Sequence, residues 1–240
     1  MESQPIAQSM ALALLLLLTN PLIADPVFSL DPMIDNQGPV VKLVTSDLPK
    51  SPLINTVDET IDWANPGLRI EQLRKVAEQL GIRFSYARQP WARALRVVEM
   101  GAADAIFVAG YTEKRTAWGA YPRLGNGQLD PRRAISIINY GLYSHQDSPA
   151  LSDGSTLDVD GGTVGAPIGD RLTEELKQEG VDVFANSSYE QLMKMVQAKR
   201  IKAAVCFRNL CDKVIAADPA SFNGVRKHAE PFRKSTSYLV

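Results

Sequence analysis

Histidine and cysteine are scarce in this chain, with two of each among 240 residues. His145 and His228 lie in separate regions, and each is most simply interpreted as a surface residue. Histidine is a common acid, base and metal ligand, so this scarcity argues against triad or metal chemistry. The sequence also contains neither a nucleophile elbow nor a phosphate-binding glycine loop. We therefore predict a protein that is not an enzyme and that uses no cofactor and no metal.

The two cysteines, Cys206 and Cys211, are separated by the residues FRNL. A structural zinc site needs four ligands, and no second pair of cysteines or histidines lies nearby. In an oxidising compartment the two cysteines can form a disulfide that closes a small loop. Alternatively, both are small buried apolar residues that never meet. The sequence leaves these two interpretations open.

Charge is neither in excess nor concentrated. The formal net charge is -1, and the lysines and arginines are scattered along the chain. Proteins that bind nucleic acid or the membrane surface carry basic patches, so neither kind of partner is expected. The remaining composition, 45% hydrophobic and 22% charged residues, is that of a globular protein with one large domain or two small lobes.

An apolar run occupies residues 11–18 and extends to Ala24. Its length suits the core of a secretory signal and falls short of the roughly 20 residues that a membrane span needs. We predict a signal peptide at residues 1–24 and a periplasmic location. The first ten residues lack Lys and Arg, and residues 22–24 match the cleavage pattern poorly. An uncleaved anchor or a misplaced start is therefore the alternative.

The first half of the chain predicts alternating strands and helices. Apolar residues at helical spacing follow the polar loop that ends at Gly67, and Gly81 provides a C-terminal stop. Later runs alternate between short apolar segments and helical periodicity. The predicted order is a strand from Val40, a helix at Leu68–Leu80, a strand at 83–86, a helix at 90–100 and a strand at 105–108.

The second half repeats this order in architecture without repeating the letters. Asp170 can cap its own helix, and Ser187 with Glu190 matches a capping box. The predicted elements are a strand at 163–166, a helix at 170–178, a strand at 181–184, a helix at 187–198 and a strand at Ala203–Phe207. Such alternation predicts parallel sheets with helices on both faces.

Two extended segments connect the two halves. One is the stretch 121–161, which contains a strand-like run at 134–143, and the other is 224–240. Two α/β lobes joined by two crossing segments form a hinge, and the cleft between such lobes is a usual site for a small ligand. Ligand binding is then expected to close the hinge.

Three motifs occur in order: QPWARA at 89–94, GAADA at 101–105 and YTEKR at 111–115. With these motifs the chain resembles the family 3 extracellular solute-binding proteins, the polar amino acid type of ABC transporters. The resemblance covers about residues 40–240. It implies an α/β type II periplasmic-binding-protein-like fold with two lobes and a two-segment hinge. The implied first lobe comprises 38–134 and 231–240, and the second comprises 135–230.

The resemblance also implies a ligand site. Arg115 matches an arginine that holds a ligand carboxylate, and Trp91 matches a stacking aromatic residue. A guanidinium group can meet a carboxylate with two parallel hydrogen bonds, which makes this role chemically reasonable. A solvated charge and ordinary core filling are the alternatives for these two residues. The implied lip of the site consists of Ala109, Gly110, Tyr111 and Thr112.

In the second lobe the resemblance places the start of a helix, Gly169 and Asp170, at the cleft. Asp170 replaces the small hydroxyl residue usual there, and a simple N-cap role is the alternative. The family's amine-binding aspartate is replaced by Phe207 and Arg208. An inward Arg208 would favour a ligand with more than one anionic group, whereas an inward Asp170 would allow a zwitterion. The sequence does not decide between them.

We expect a periplasmic protein that captures a small carboxylate-bearing solute for ABC uptake or for sensing. The expected partners are that small molecule and an ABC permease or membrane sensor, and a monomer is expected. The alternatives are an accessory protein of a periplasmic enzyme and a periplasmic dehydratase in which Asp170 or Glu174 acts as an acid. The resemblance also implies a closing helix after residues 235–240, and its absence suggests a truncated chain.

Overall fold

The computed structural model describes residues 26–48, 52–58, 60–148, 150–152 and 157–240. The expected signal peptide at 1–24 lies outside the described residues. Within these ranges, no helix combines the length and apolarity that crossing a membrane requires.

The described elements alternate much as the sequence predicts. The first half contains β1 (Ser29–Leu30), β2 (Val40–Ser46), β3 (Thr56–Val57), β4 (Thr60–Ile61), α1 (Leu68–Leu80), β5 (Arg83–Gln89), α2 (Trp91–Glu99), β6 (Ala105–Gly110) and two 3₁₀ turns (Glu113–Ala117 and Pro131–Arg133). The second half contains β7 (Ser136–His145), β8 (Leu151–Ser152), β9 (Leu157–Asp158), β10 (Val164–Pro167), α3 (Arg171–Gln178), β11 (Val183–Asn186), α4 (Tyr189–Gln197), β12 (Ala203–Phe207), α5 (Arg208–Ala217), β13 (Val225–Lys227) and β14 (Arg233–Leu239).

Local capping chemistry explains several of these boundaries. Helix α1 has the predicted bounds because Gly81 adopts a left-handed conformation (φ 63°) that a side chain would disfavour. Asp170 caps α3, as expected, and accepts a hydrogen bond from the Leu172 amide at 2.9 Å. The predicted cap of α4 is wrong by one residue, because Ser188 rather than Ser187 accepts from the Gln191 amide.

The main sheet combines two parallel cores with antiparallel links. In the first lobe β2 pairs in parallel with β5 and β6, and in the second lobe β10 pairs in parallel with β11 and β12. Strands β1, β7, β13 and β14 pair antiparallel with their neighbours. The prediction of parallel sheets therefore holds for the three central strands of each lobe and is wrong for the whole sheet.

The two lobes are joined by a ribbon of two strands. Strand β14 pairs with β6 of the first lobe and with β7, where Ser136 lies opposite Ser237 and Tyr140 opposite Arg233. Strand β7 continues into the second lobe, where it pairs with β12. We call β7 and β14 the hinge ribbon. It contains both of the chain crossings that the sequence predicts.

Helices cover both faces of the first-lobe sheet. Adjacent residues of a strand point to opposite faces, so Leu43 and Val44 of β2 belong to different cores. Leu43 packs in the cluster that contains Ile70 of α1. Val44 packs in the cluster that contains Val97 of α2.

The second lobe repeats this arrangement around β12. Val205 packs in the cluster that contains Leu172 of α3, whereas Cys206 packs in the cluster that contains Val196 of α4. Cys206 also forms a disulfide with Cys211 in α5. Of the two interpretations of the cysteines, the structure therefore shows the bridged one, with both residues fully buried.

Neither histidine is an ordinary surface residue, so that expectation is wrong. His145 is buried at the end of β7, and its Nδ1 accepts a hydrogen bond from the Asp147 amide at 3.1 Å. His228 is half-buried with Nε2 lying 3.2 Å from the Ser144 hydroxyl, and burial lowers the pKa of its imidazole. Both side chains lie outside the lining of the interlobe cavity.

Candidate functional site

A cavity of about 480 Å³ lies between the two lobes. Residues 136–140 of β7 form part of its wall, so the hinge ribbon itself lines the cavity. Small-molecule sites in proteins occupy roughly 300–1,000 Å³. The cavity therefore has the size of a binding site for a small solute.

Arg115 is held in the cavity wall by local hydrogen bonds. It lies in the 3₁₀ turn whose N-cap, Thr112, accepts from the Arg115 amide at 3.3 Å. Its Nη1 donates to the Gly110 carbonyl at 2.6 Å, and its Nη2 donates to the Gly169 carbonyl at 3.2 Å. The side chain forms no ion pair with any described residue, although the whole residue is only 7% exposed.

Trp91 joins Arg115 at the contact between the lobes. It is the first residue of α2, and its indole Nε1 donates to the Gly169 carbonyl at 3.0 Å. The Arg115 Cζ atom lies 5.7 Å from the centroid of the Trp91 ring, within reach of a cation–π interaction. One carbonyl oxygen of the second lobe thus accepts two hydrogen bonds from the first lobe.

Asp170 caps its helix and lines the cavity, so both roles that the sequence left open are present together. Its Oδ1 accepts from the Tyr140 hydroxyl at 2.7 Å as well as from the Leu172 amide. Burial raises the pKa of the Asp170 carboxyl group, while these hydrogen bonds and the charge of Arg115 act in the opposite direction. The second lobe therefore presents a carboxyl group to the cavity.

Arg69 is a cavity residue that the sequence reading missed. It lies in the first turn of α1, is 6% exposed and lines the cavity. Its Nη1 donates to Gln72 Oε1 at 2.9 Å and to the Ile135 carbonyl, while its Nε is buried without an acceptor. Burial lowers the pKa of the guanidinium group. A signal was available, because Arg69 precedes the inward Leu73 by four positions, which is one helical turn.

The part of the wall around Phe207 of β12 is aromatic, with Tyr140 of β7 and Tyr189 of α4 beside it. The ring centroid of Phe207 lies 5.4 Å from that of Tyr140 and 6.0 Å from that of Tyr189. Arg208 also lines the cavity, and its Nη2 donates to the Ala229 carbonyl at 2.9 Å. This wall offers apolar contact area beside the charged groups.

The predicted site residues divide into three groups. Trp91, Gly110, Arg115, Asp170, Phe207 and Arg208 line the cavity, and the structure brings them together. Gly169 contributes its carbonyl group to the lobe contact. Three predicted lip residues are not part of the lining: Ala109 is fully buried, Thr112 caps a turn, and the Tyr111 hydroxyl donates a hydrogen bond to Glu113.

The cavity wall also contains a backbone irregularity that no sequence pattern indicated. Val108 has a φ of 66°, an unusual conformation for a β-branched residue. It lies where the pairing of β6 with β14 shifts between Tyr238 and Leu239, as in a β-bulge. Such strain costs on the order of 1–3 kcal/mol and is concentrated at functional sites.

In sequence, neither a protein-family model nor a curated protein matches this chain. In structure, it is similar to a histidine kinase sensor domain described as similar to periplasmic binding proteins. The TM-score is 0.66 and the identity is 15%, with 85% of this chain and 82% of that chain covered.

Other similar solved structures include two with a TM-score of 0.60 each. One is the arginine-, lysine- and histidine-binding protein ArtJ from Geobacillus stearothermophilus, with 13% identity over 83% of this chain and 80% of that one. The other is the GluR0 ligand-binding core from Nostoc punctiforme in complex with L-glutamate, with 14% identity over 83% of each chain. These likenesses confirm the predicted type II periplasmic-binding-protein-like fold.

Proposed function

We propose that this protein captures a small carboxylate-bearing solute in the interlobe cavity and leaves it chemically unchanged. The observation that carries the proposal is Arg115, a buried guanidinium group in the wall of that cavity without a carboxylate partner among the described residues. A buried charge is costly unless a counter-ion accompanies it. A ligand carboxylate would supply that counter-ion through charge-assisted hydrogen bonds.

The opposite lobe favours an amino acid-like solute. Asp170 presents a carboxyl group to the same cavity, and an ionised carboxylate attracts an ammonium group. A zwitterion would thus match Arg115 with its carboxylate and Asp170 with its ammonium group. Two structural neighbours, the arginine-, lysine- and histidine-binding protein ArtJ and the GluR0 core in complex with L-glutamate, agree with this class of solute.

Binding and lobe closure would be coupled through the residues that meet at Gly169. The solute first contacts Trp91 and Arg115 on the first lobe, and contacts with the second lobe then stabilise the closed form. Affinity in such a protein depends on how much better the closed form holds the ligand than the open form does. The hydrogen bonds from Trp91 and Arg115 to Gly169 add to that difference.

We further propose that the protein works in the periplasm and delivers the solute to an ABC permease or reports it to a membrane sensor. The predicted signal at residues 1–24 supports export. A sensor domain and binding proteins of transporters both occur among the structural neighbours. The gene neighbourhood distinguishes the two roles, since an adjacent permease gene favours uptake.

A thermal-shift panel of amino acids, monocarboxylates, dicarboxylates and polyamines tests the function, followed by calorimetry on each solute that stabilises the protein. Arg115→Ala should weaken the binding of such a carboxylate by about 1.5–3 kcal/mol, since a hydrogen bond to a charged group is lost. Arg123→Ala is the matched control, because Arg123 is an exposed arginine of the same lobe that packs on Tyr111 outside the cavity lining. Equal affinities for Arg115→Ala and the wild type would refute the proposal.

One observation favours a second candidate, a dehydratase. Asp170 has a raised pKa and faces the cavity, as a general acid would. Incubation with prephenate or arogenate separates the candidates. Turnover that is lost in Asp170→Asn would establish catalysis and contradict a binding-only role.

A further inference from the structure

Arg69, like Arg115 and unlike Arg74 and Arg233, has no carboxylate partner among the described residues. Arg74 forms an ion pair with Asp31 at 3.0 Å, and Arg233 forms one with Glu179 at 2.7 Å. Arg69 is less exposed than either, yet it forms no ion pair with any described residue. Its side-chain acceptors, Gln72 Oε1 and the Ile135 carbonyl, are both neutral.

The surroundings of Arg69 leave its charge uncompensated inside the protein. Removal of a charged group from water costs several kcal/mol unless a counter-ion or a full set of hydrogen bonds replaces the water. The Nε atom of Arg69 is buried without an acceptor. The cavity is the place from which a counter-ion can come, because Arg69 is part of its lining.

The helix terminus does not provide an alternative anion site here. The amides of Leu68 and Arg69, which begin α1, already donate to the Pro52 and Leu53 carbonyls at 3.1 and 2.9 Å. Any anion recognised at this end of the cavity would therefore meet the guanidinium group rather than these two amides.

We infer that Arg69 binds a second anionic group of the solute, in addition to the carboxylate at Arg115. This inference rests on the proposed function and narrows its ligand class to dicarboxylates, including acidic amino acids. For an acidic amino acid, Arg69 and Arg115 would each meet one carboxylate, and Asp170 could meet the ammonium group. The aromatic wall at Phe207 would pack against the connecting carbon chain.

Matched pairs of acids and amides test the second anion site without changing ligand shape. The pairs are succinate and succinamate, L-aspartate and L-asparagine, and L-glutamate and L-glutamine, each titrated by calorimetry at about neutral pH. We expect at least one acid to bind the wild type at least about tenfold more tightly than its amide, as a charged partner of a buried arginine should. Arg69→Gln should remove most of that preference while changing the affinity for the amide by less than about threefold.

Two variants separate recognition from structural support. Arg69→Lys keeps the positive charge and should retain part of the preference for the acid. If Arg69→Gln fails to fold, Arg69→Lys still tests the inference. Arg93→Gln removes an exposed arginine of the same lobe and should leave the preference unchanged. A purely structural Arg69 would instead show equal losses for acid and amide in both Arg69 variants, and that result would overturn the inference.

The failures of the two proposals are distinguishable. If amides or monocarboxylates bind the wild type as tightly as the diacids and Arg115→Ala weakens that binding, the proposed function stands and the second anion site is wrong. If no carboxylate of the broad panel binds, both are wrong. A preference for the diacid that persists in Arg69→Gln would place the second anion elsewhere and would also overturn the inference.

Discussion

Trp91 in the first lobe donates its indole N–H to the carbonyl oxygen of Gly169 in the second lobe over 3.0 Å. Gly169 adopts a φ of 69°, a left-handed conformation that suits glycine. A Cβ atom placed there would lie 3.1 Å from Trp91 Cδ1. The contact between the lobes therefore depends on a backbone conformation at one glycine.

We predict that Gly169→Ala weakens lobe closure and solute binding. The variant combines a left-handed alanine, which costs roughly 1–2 kcal/mol, with a tight contact at Trp91. Gly180→Ala is the control, because Gly180 has a φ of 83° with open space around its added Cβ. Urea unfolding should show similar losses of stability for both variants. Small-angle scattering should show an expanded molecule for Gly169→Ala alone, and equal radii of gyration would contradict the prediction.

We predict that Asp170→Asn changes how stability depends on pH. The pKa of Asp170 is raised above its ordinary value of 3.8, so the folded protein holds this proton more tightly than the unfolded chain does. The resulting stabilisation is present below pH 3.8 and is lost as the pH rises through the folded-state pKa. Asparagine keeps the cap and does not titrate. The stability of the wild type relative to Asp170→Asn should therefore fall as the pH rises.

Asp130→Asn provides a comparison of opposite sign for this pH series. Arg132 lowers the pKa of the Asp130 carboxyl group through a side-chain hydrogen bond. The Asp130 carboxylate therefore contributes stability that is present above its pKa in the unfolded chain and is lost as the pH falls through its pKa in the folded protein. Urea unfolding at a series of pH values measures the difference in stability between the wild type and each of the two variants. A flat difference between the wild type and Asp170→Asn would show that burial does not perturb this carboxyl group.

We predict that the disulfide supports both stability and binding. Residues 207–210, which line the cavity, all lie between Cys206 and Cys211. Loop closure of this length stabilises by about 2 kcal/mol. The variant with both cysteines replaced by alanine should therefore have a lower guanidinium midpoint and a weaker solute affinity. A reductant should reproduce both losses in the wild type and have no effect on the variant. If the wild type and the variant, each with and without reductant, all had the same guanidinium midpoint, this role would be contradicted.

Patterns within a few residues of sequence predicted the helices and strands of the fold well. Helix α1 begins after Gly67 and ends before Gly81, and strand β12 is a compact apolar run, so the predicted bounds of both are those of the structure. Each boundary depends on chemistry within a few residues of sequence, such as the left-handed Gly81. The resemblance carried by the motifs around Trp91 and Arg115 placed both residues at the cleft, and both line the cavity.

The features that sequence reading missed depend on distant partners. The position of Arg69, one turn before the inward Leu73, indicates its face of the helix. Its enclosure depends on contacts such as the hydrogen bond to the Ile135 carbonyl, 66 positions away. The bulge at Val108 follows from its pairing with β14 near the far end of the chain. His145 is buried by the packing of the second lobe. No pattern within a short window shows that a charged or polar side chain is enclosed or that a strand has a bulge.

Residues 136–140 belong both to the hinge ribbon and to the wall of the cavity. A solute that rests on them touches the segment that must bend when the lobes separate. A bound solute would thus stiffen the hinge ribbon by direct contact, and no other part of the molecule would need to transmit the effect. Under the proposed function, a partner that contacts both lobes would recognise the filled protein by its stiffness as well as by its shape.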